Sequence, residues 1–445
     1  MAPAATEARI DYRVMPGGRL QGDLRVPGDK SISHRSVMLG ALAEGATAVE
    51  GLLEGEDVLC TIAAFRRMGV TIDSPHAGQV AIAGRGMHGL TAPDGPLDMG
   101  NSGTAMRLMA GILAAQPFDS VLIGDPSLSR RPMKRVAEPL GTMGALIETT
   151  EGGRPPLSIR GGRRLAGIRY ALPVPSAQVK SALLLAGLYA SGETVVTEPA
   201  PTRDHTERML RAFGYDIGVS GATVTVRGGG RLVGTRIEVP ADISSAAFFL
   251  VGASIAAGSD IVLRGVGINP TRIGVLNVLR QMGANIETLN ERMAGGEPVA
   301  DLRVRGARLR GIRIPEDQVP LAIDELPVVL IAAALADGET VLSGAEELRV
   351  KESDRIAAMA AGFAAVGVEA RETPDGMIVQ GGRMRGGVVD SRGDHRIAMA
   401  FAIAALVSEG PITVRDCKNV DTSFPGFASL ARSAGLGIEV VQSPV

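Results

Sequence analysis

Polar and positively charged side chains stand at the predicted N-termini of several apolar helices. They occur in VPGDKSISHR (26–35), GNSGTAMR (100–107), PSAQ (175–178) and GDHR (393–396). Free backbone N–H groups and the helix dipole favour anions at such positions. The residues concerned are Lys30, Ser31, Arg35, Asn101, Ser102, Gly103, Thr104, Ser176, Ala177, Gln178, Asp394, His395 and Arg396.

Four further cations lie in predicted loops or short helices: Arg131, Arg203, Lys351 and Arg355. Each of them alone is typical of a solvated surface residue. Together with Lys30, Arg35 and Arg396 they make seven cations, which indicates a ligand with several anionic groups, since Arg supplies bidentate forks and Lys a point charge.

Two carboxylates are candidates for proton transfer, Asp324 in IDELPVV and Glu352 in RVKESDR. A general acid or base needs a pKa tuned toward neutrality. Asp324 is also placed where a helix N-cap would stand, and Glu352 could be an ordinary surface acid. The spacing alone does not bring the two residues into one site.

Other kinds of site find little support. The stretch VPGDKS ends like a nucleotide-binding P-loop, but Asp29 stands where that loop needs Gly, and the upstream Gly is missing. The five histidines form no metal-ligand spacing. The Gly-rich turns lack the acidic residue that follows a dinucleotide fingerprint. The sequence therefore predicts neither a metal nor a nucleotide cofactor.

The composition indicates which classes of partner and which cellular compartment to expect. The net charge of -2 and an aromatic content of 3% with no Trp argue against nucleic acid. No apolar segment is long enough to span a membrane, and no N-terminal export signal is present. Two distant cysteines, Cys60 and Cys417, indicate no disulfide framework. We expect a cytoplasmic protein.

The elements that must position these residues repeat six times along the chain. A helical segment runs into a Gly and then a β-type run at Gly69, Gly144, Gly214, Gly283, Gly367 and Gly435, at intervals of 68 to 84 residues. Such a Gly is typical of a helix end in the left-handed region. The first five β-type runs are each followed by a second, as in a hairpin. An apolar, buried helix precedes each of these segments: 33–43, 106–115, 178–190, 245–257, 325–336 and 395–407.

An internal echo predicts the domain boundaries. VPGDKSISH and VPADISSAA share V-P-x-D-x-S, and three of the six repeats lie between them. We expect an α/β (α+β) protein with one domain at 28–240 and a second made of 1–27 plus 241–445. The hinge crossings would lie near 26–30 and 239–243, where Pro restricts the backbone.

Eight ordered motifs across the chain resemble the 5-enolpyruvylshikimate-3-phosphate synthase family, particularly its class II form. They are VPGDKSISHR, GNSGTAMR, RRPM, PSAQVKSALLLAG, TRDHTE, DELPVV, RVKESDR and GDHRIAMAF. The resemblance implies the two-domain enolpyruvyl transferase fold, with six βαβαββ units, three in each domain, and a ligand cleft between domains that closes on the substrates.

The implied reaction transfers the enolpyruvyl group of phosphoenolpyruvate to the 5-hydroxyl of shikimate 3-phosphate, through a tetrahedral intermediate, on the shikimate pathway to aromatic amino acids. The family uses no metal or organic cofactor and suggests a monomer. By resemblance, Asp324, Glu352 and Lys30 would be catalytic. Shikimate 3-phosphate would be held by Lys30, Ser31, Arg35, Ser176, Ala177, Gln178, Arg203, Asp324 and Lys351. Phosphoenolpyruvate would be held by Lys30, Asn101, Gly103, Arg131, Gln178, Arg355 and Arg396.

Two positions bear on the family pattern. Thr422 stands in VDTSFP where many relatives carry Lys, which puts a phosphoenolpyruvate contact there in doubt. Gly103 stands where tolerant class II relatives carry Ala, so we expect inhibition by glyphosate. The alternatives are a UDP-N-acetylglucosamine 1-carboxyvinyltransferase, a P-loop NTPase and a non-catalytic repeat scaffold. The first typically has Lys-Asn where this chain has Lys30-Ser31.

Overall fold

The computed structural model describes residues 9–443, in which helices and short strands alternate along the chain. The helices of this range are α1 (Lys30–Leu42), α2 (Glu56–Arg67), α3 (Gly103–Leu113), α4 (Lys134–Thr142), α5 (Ala177–Gly187), α6 (His205–Ala212), α7 (Ile243–Ile255), α8 (Gly274–Gln281), α9 (Val319–Ala322), α10 (Leu326–Ala334), α11 (Arg355–Ala365), α12 (His395–Ala404) and α13 (Phe427–Ala434).

The strands are mostly three to seven residues long. They are β1 (Arg9–Val14), β2 (Gln21–Leu24), β3 (Glu44–Glu50), β4 (Thr71–Ile72), β5 (Val80–Arg85), β6 (Leu97–Asp98), β7 (Ser120–Ile123), β8 (Leu146–Thr150), β9 (Arg154–Arg160), β10 (Arg169–Ala171), β11 (Glu193–Thr197), β12 (Ile217–Ser220), β13 (Thr223–Arg227), β14 (Arg236–Glu238), β15 (Asp260–Gly267), β16 (Asn285–Ala294), β17 (Glu297–Arg305), β18 (Glu339–Leu342), β19 (Ala370–Thr373), β20 (Gly376–Gln380), β21 (Gly387–Asp390), β22 (Ile412–Arg415) and β23 (Ile438–Ser443).

The strands between residues 9 and 443 form six small sheets with a common plan. Their orders are β14-β3-β5-β4, β6-β7-β9-β8, β10-β11-β13-β12, β16-β17-β15-β2, β18-β20-β19 and β21-β22-β1-β23. In five of them a parallel pair at one edge, such as β6 with β7, continues into antiparallel pairs such as β7 with β9. In the sheet β18-β20-β19 an isolated parallel bridge between Arg313 and Val341 takes the place of the edge strand. The predicted mixed α/β class with six repeated units is confirmed.

Each repeat ends its second helix on a glycine in the left-handed region. Gly69, Gly144, Gly214, Gly283, Gly367 and Gly435 have φ of 85°, 103°, 77°, 96°, 73° and 114°. Positive φ strains any residue with a Cβ, so glycine lets the chain leave the helix and enter the next strand. The sequence-based prediction for these six positions is confirmed.

The chain groups into two compact units. The first unit consists of Gly28–Pro240 together with Met293–Glu297, and the second consists of the described residues 9–27, 241–292 and 298–443. The short segment Met293–Glu297 joins the first unit although the strands around it, β16 and β17, pair within the second unit's sheet.

Each unit has one hydrophobic core built around its apolar helices. In the first unit α1, α3 and α5 are buried along nearly their whole length, and in the second unit α7, α10 and α12 are. Each of the six overlaps most of one predicted apolar stretch. Since these helices are surrounded by the core, only their N-terminal turns are left to present polar groups to a ligand.

The two crossing segments have the same local geometry. In the first unit the Asp29 N–H donates to the Pro240 carbonyl at 2.8 Å, and in the second the Asp242 N–H donates to the Pro27 carbonyl at 2.9 Å. Gly28 is required at its position, because a Cβ there would lie 1.8 Å from the Gly51 carbonyl oxygen. Within residues 9–443 no helix is long and apolar enough to cross a membrane.

Candidate active site

Asp29, the residue that argues against a P-loop, begins helix α1. Its side chain accepts a hydrogen bond from the Ile32 N–H at 2.8 Å, which makes it the N-cap of the helix. Lys30 follows as the first helical residue, and its ammonium group pairs with Asp57 of α2. The Lys30 side chain is 21% exposed and that of Asp57 only 2%, so the pair presents the cation, not the carboxylate, to solvent.

Arg35 is buried inside the first unit and joins three helices. Its guanidinium donates to the Ser31 carbonyl at 2.9 Å, to Thr206 Oγ1 at 2.7 Å and to Ser181 Oγ at 2.8 Å. Burial lowers the pKa of Arg35 to about 10. These contacts fix the start of α1 against α5 and α6.

Gly103 begins α3 and is surrounded by guanidinium groups. A Cβ at this position would lie 2.8 Å from Arg107 Nη1 and 3.3 Å from Arg131 Nη1. Arg131 donates to Asn101 Oδ1 at 2.6 Å, and Asn101 Nδ2 donates to Asp125 at 2.6 Å. The structure therefore brings Asn101, Gly103 and Arg131 together at the N-terminus of α3.

Gln178 extends this cluster from helix α5. Its amide oxygen accepts a hydrogen bond from Arg107, and its Nε2 donates to Thr104 Oγ1 at 2.8 Å. Ser176 is the N-cap of α5, accepting from the Val179 N–H at 3.4 Å, and Ala177 is the first helical residue. Three predicted residues of this segment therefore stand at a helix N-terminus, and Gln178 reaches the N-terminus of α3.

Arg203 lies half-buried in the loop between β11 and α6. Lys180 of α5 holds both ends of this loop. Its ammonium lies 2.9 Å from Glu198, which follows β11, and 2.7 Å from Glu207 of α6. Lys180 is 1% exposed, so its charge depends on these two carboxylates.

In the second unit, Arg355 gathers three carboxylates. Its Nη1 lies 3.5 Å from Asp324 Oδ1, its Nη2 2.6 Å from Glu352 Oε2 and its Nε 2.8 Å from Asp394 Oδ2. Asp324 and Glu352, which the spacing left unconnected, therefore converge on one guanidinium. Lys351 adds a second cation, with Nζ 3.5 Å from Asp324 Oδ1.

Asp324 is not a helix cap. It lies in the turn between α9 and α10, and Glu325 occupies the N-cap position of α10 without a side-chain capping bond. Because its carboxylate is directed at Arg355 and Lys351 instead, the N-cap interpretation of this residue is wrong.

Burial and neighbouring charges shift the pKa values of Arg355 and Asp394 in opposite directions. Burial lowers the pKa of Arg355, but the charges of Asp394, Glu352 and Asp324 outweigh it and raise that pKa. Burial is the largest influence on the pKa of Asp394 and raises it, but the charges of Arg355 and His395 together with the hydrogen bond from Arg355 outweigh burial and leave a net downward shift. The Arg355–Asp394 pair is thus ionised at neutral pH. Asp394 also caps α12, accepting from the Arg396 N–H at 2.9 Å.

Arg396 is held next to a buried carboxylate that sequence reasoning did not single out. Its Nη1 lies 4.0 Å from Glu325 Oε1, and Arg272 Nη2 lies 3.3 Å from the same oxygen. Arg272 also donates to Ser244 Oγ at 2.6 Å. Glu325 thus connects Arg396 to α7, the helix that follows the second crossing segment.

Three residues near the predicted site went unnoticed in the sequence: Arg107, Lys180 and Glu325. Lys180 could have been found, because a lone Lys in the apolar run QVKSALLLAG requires a buried partner. Arg107 lies one helical turn after Gly103, a spacing that puts both on one face. Glu325 gives no sequence signal of its own beyond adjacency to Asp324.

Thr422 makes a structural contact. Its hydroxyl donates to the Asn419 carbonyl at 2.8 Å, and the residue is buried. Among residues 9–443, no group of His, Cys, Asp and Glu is arranged to hold a metal ion.

Comparison with known proteins identifies relatives over nearly the whole chain. A sequence profile of EPSP synthase (3-phosphoshikimate 1-carboxyvinyltransferase) matches residues 14–430. The 3-phosphoshikimate 1-carboxyvinyltransferase of Methylococcus capsulatus is 67% identical over 431 residues, covering 97% of this chain and 99% of the relative. The protein of the same name from Alkalilimnicola ehrlichii is 65% identical, covering 96% of each chain.

A solved structure has the same fold. The EPSP synthase of Acinetobacter baumannii superimposes with a TM-score of 0.87 at 59% sequence identity, covering 98% of this chain and 100% of the other.

Proposed function

The chain belongs to the EPSP synthase family, and we propose that it transfers the carboxyvinyl group of phosphoenolpyruvate to the 5-hydroxyl of shikimate 3-phosphate, releasing phosphate. The observation that carries this proposal is the identity of 67% to a named 3-phosphoshikimate 1-carboxyvinyltransferase over 97% of the chain. The arrangement of the polar residues supports it, because helix N-termini and cations suit two substrates that carry phosphate and carboxylate groups.

The reaction needs proton transfers in both directions. In the addition step the 5-hydroxyl oxygen bonds to C2 of phosphoenolpyruvate and loses its proton, while C3 gains a proton and becomes a methyl group. In the elimination step the C2–O bond to phosphate breaks and the methyl group loses a proton. One group must therefore accept the hydroxyl proton, and another must donate to C3.

Asp324 and Glu352 suit these two roles. Arg355 holds both carboxylates, with Nη1 3.5 Å from Asp324 and Nη2 2.6 Å from Glu352. In the proposal Asp324 accepts the proton of the 5-hydroxyl and Glu352 exchanges the proton at C3. Lys30, one-fifth exposed at the head of α1, is the alternative proton donor.

The remaining residues bind and orient the substrates. Ser31, Arg35, Ser176, Ala177, Gln178, Arg203 and Lys351, with Lys30 and Asp324, are proposed for shikimate 3-phosphate. Asn101, Gly103, Arg131, Arg355 and Arg396, with Lys30 and Gln178, are proposed for phosphoenolpyruvate. The cluster of Asn101, Gly103, Arg131 and Gln178 supports the second set, since it combines a helix N-terminus with an arginine.

The test is phosphate release from phosphoenolpyruvate by the purified protein, without added metal or ATP. Release that depends on shikimate 3-phosphate, with formation of the enolpyruvyl ether, is the expected result. Release that depends on UDP-N-acetylglucosamine instead, or a requirement for ATP, would refute the assignment.

Glyphosate is proposed as an inhibitor that competes with phosphoenolpyruvate. A Cβ at position 103 would lie 2.8 Å from Arg107 Nη1 and 3.3 Å from Arg131 Nη1, so the two guanidinium groups would have to shift to accept a methyl group. Gly103→Ala should therefore weaken glyphosate inhibition and raise the KM for phosphoenolpyruvate. Full wild-type turnover at high glyphosate and limiting phosphoenolpyruvate would contradict the proposal.

The monomeric state and the cytoplasmic location stay predictions.

A further inference from the structure

His34 is a buried residue of helix α1 to which the reaction gives no role. It is fully buried, and it lies one helical turn after Lys30, so both residues occupy the same face of the helix. Its ring contacts two other elements: Nδ1 lies 2.8 Å from Thr61 Oγ1 of α2, and Nε2 lies 3.1 Å from Ser102 Oγ.

The neighbouring hydrogen bonds define which ring nitrogen carries the proton. Thr61 donates its hydroxyl proton to the Asp57 carbonyl at 3.3 Å, so its oxygen accepts from His34. Burial, followed by the positive charges of Lys30 and Arg35, lowers the pKa of His34 well below 6.5. The ring is therefore neutral, with its single proton on Nδ1, and Nε2 accepts from the Ser102 hydroxyl.

Ser102 is the residue that shapes the N-terminus of α3. As the N-cap it accepts from the Ala105 N–H at 3.1 Å through its side chain and from the Met106 N–H at 3.1 Å through its carbonyl. The N–H groups of Gly103 and Thr104, in the first turn, have no partner within the helix and are the ones suited to an anion.

At its other end the chain of hydrogen bonds reaches the partner of Lys30. Thr61 lies one turn after Asp57 on α2, and Asp57 pairs with the Lys30 ammonium. The directed series from Ser102 to His34 to Thr61 ends at the backbone carbonyl of Asp57, and the carboxylate of the same residue pairs with the Lys30 ammonium. Asp57 therefore links the N-terminus of α3 to the cation of α1.

We propose that His34 is a positioning residue for phosphoenolpyruvate, which sets the N-terminus of α3 relative to Lys30 through its Nδ1–H tautomer. This inference rests on the proposed function. His34 touches no substrate itself and acts through Ser102 and Thr61.

Two amide substitutions test the two hydrogen bonds of the His34 ring separately. His34→Gln can place an amide oxygen near the position of Nε2 and keep the acceptor for Ser102. His34→Asn is shorter and can keep only the donor to Thr61. The exposed His76, changed to Asn, is the matched control for the same chemical replacement.

The KM values for the two substrates are measured separately. Loss of one buried hydrogen bond should raise the KM for phosphoenolpyruvate about tenfold in His34→Asn, with the KM for shikimate 3-phosphate within about twofold of wild type. His34→Gln should recover most of that loss, and His76→Asn should match wild type. An unchanged KM for phosphoenolpyruvate in His34→Asn, or equal rises for both substrates, overturns the proposal.

A second measurement does not depend on activity. The 15N chemical shifts of the His34 ring in the wild-type protein should report the neutral Nδ1–H tautomer at pH 7. An Nε2–H tautomer or a protonated ring overturns the positioning chain. If the tautomer is found but the wild type does not turn over, the proposed function has failed and the hydrogen-bond chain has not.

Discussion

The two units begin alike and then differ in what their first buried helix carries. In each, the Asp of the shared V-P-x-D pattern caps a helix of thirteen residues, Asp29 for α1 and Asp242 for α7. Both helices then bury a serine, Ser31 and Ser244, but α1 continues into the buried His34 and Arg35, whereas α7 has Ala247 and Phe248 at the same places and is packed as core.

The charged groups follow the same division. In the first unit, cations and helix N-termini dominate the candidate site, with Asn101 and Gln178 as uncharged partners of Arg131 and Arg107. In the second unit, carboxylates cluster around Arg355. A repeated scaffold thus supports two chemical tasks: we expect anion binding to depend most on the first unit and proton transfer on the second.

The largest expected effect tests this division directly. Asp324→Asn removes a proton acceptor at nearly constant volume and should lower kcat about a thousandfold, while shikimate 3-phosphate still binds. Arg131→Met should instead act mainly on the KM for phosphoenolpyruvate, raising it roughly a hundredfold, since it removes a charged contact to the ligand. Steady-state kinetics and calorimetric binding of shikimate 3-phosphate measure both.

Asp317→Asn, the same replacement at an exposed site, is the control for the first variant. Turnover of Asp324→Asn close to wild type would remove Asp324 from the mechanism. A kcat effect in Arg131→Met as large as in Asp324→Asn would break the division between the units.

Each unit contains a buried cation that pairs with buried carboxylates. We therefore expect the loss of either cation to lower the free energy of unfolding by a similar amount. Arg355→Met leaves Asp394 buried without its guanidinium, and Lys180→Met does the same to Glu198 and Glu207. Each should cost about 3–5 kcal/mol in the free energy of unfolding, measured in urea.

Arg383→Met is the control, since its ion pair with Glu409 is at the surface and should contribute nothing measurable. A wild-type unfolding midpoint for either buried variant would mean that its carboxylates find other partners.

The smallest expected effect concerns the pH dependence of the free energy of unfolding, which should change in different pH ranges for a group in each unit. His34 binds a proton at about 6.5 only when unfolded, so stability should fall by about 1.4 kcal/mol per pH unit below that value. Asp394, with its pKa lowered below 3.8, stabilises the fold above 3.8, and this contribution is lost as the pH falls further.

Urea unfolding between pH 7 and pH 3 compares the wild type with two variants. His34→Gln should flatten the slope between pH 6.5 and 5, and Asp394→Asn the slope below about pH 4. The assignment of these two groups would be contradicted if His34→Gln kept the wild-type slope between pH 6.5 and 5 and Asp394→Asn kept it below about pH 4.

Regular features were predictable because local chemistry determines them. The six helix-ending glycines follow from the left-handed conformation, and the apolar stretches follow from burial. Helix starts were displaced by up to three residues, since polar residues such as Lys30 and Gly103 belong to the first turn and interrupt the apolar pattern.

The convergence of Asp324, Glu352 and Asp394 was beyond sequence reasoning. These residues precede three different helices, α10, α11 and α12, and only tertiary packing brings them to the same guanidinium. The attachment of Met293–Glu297 to the first unit was missed for the same reason, since it depends on contacts such as His205 with Glu297 at 2.8 Å.

The hydrogen bond from Asp242 to the Pro27 carbonyl has a topological consequence. Residues 27 and 242 are neighbours in space within the second unit, although 214 residues separate them along the chain. The second unit is thus a nearly continuous fold into which the first is inserted at one point, as Asp29 and Pro240 meet at the ends of the insert. A circularly permuted chain, opened at a surface turn and closed between the paired strands β23 and β1, would keep both crossings intact.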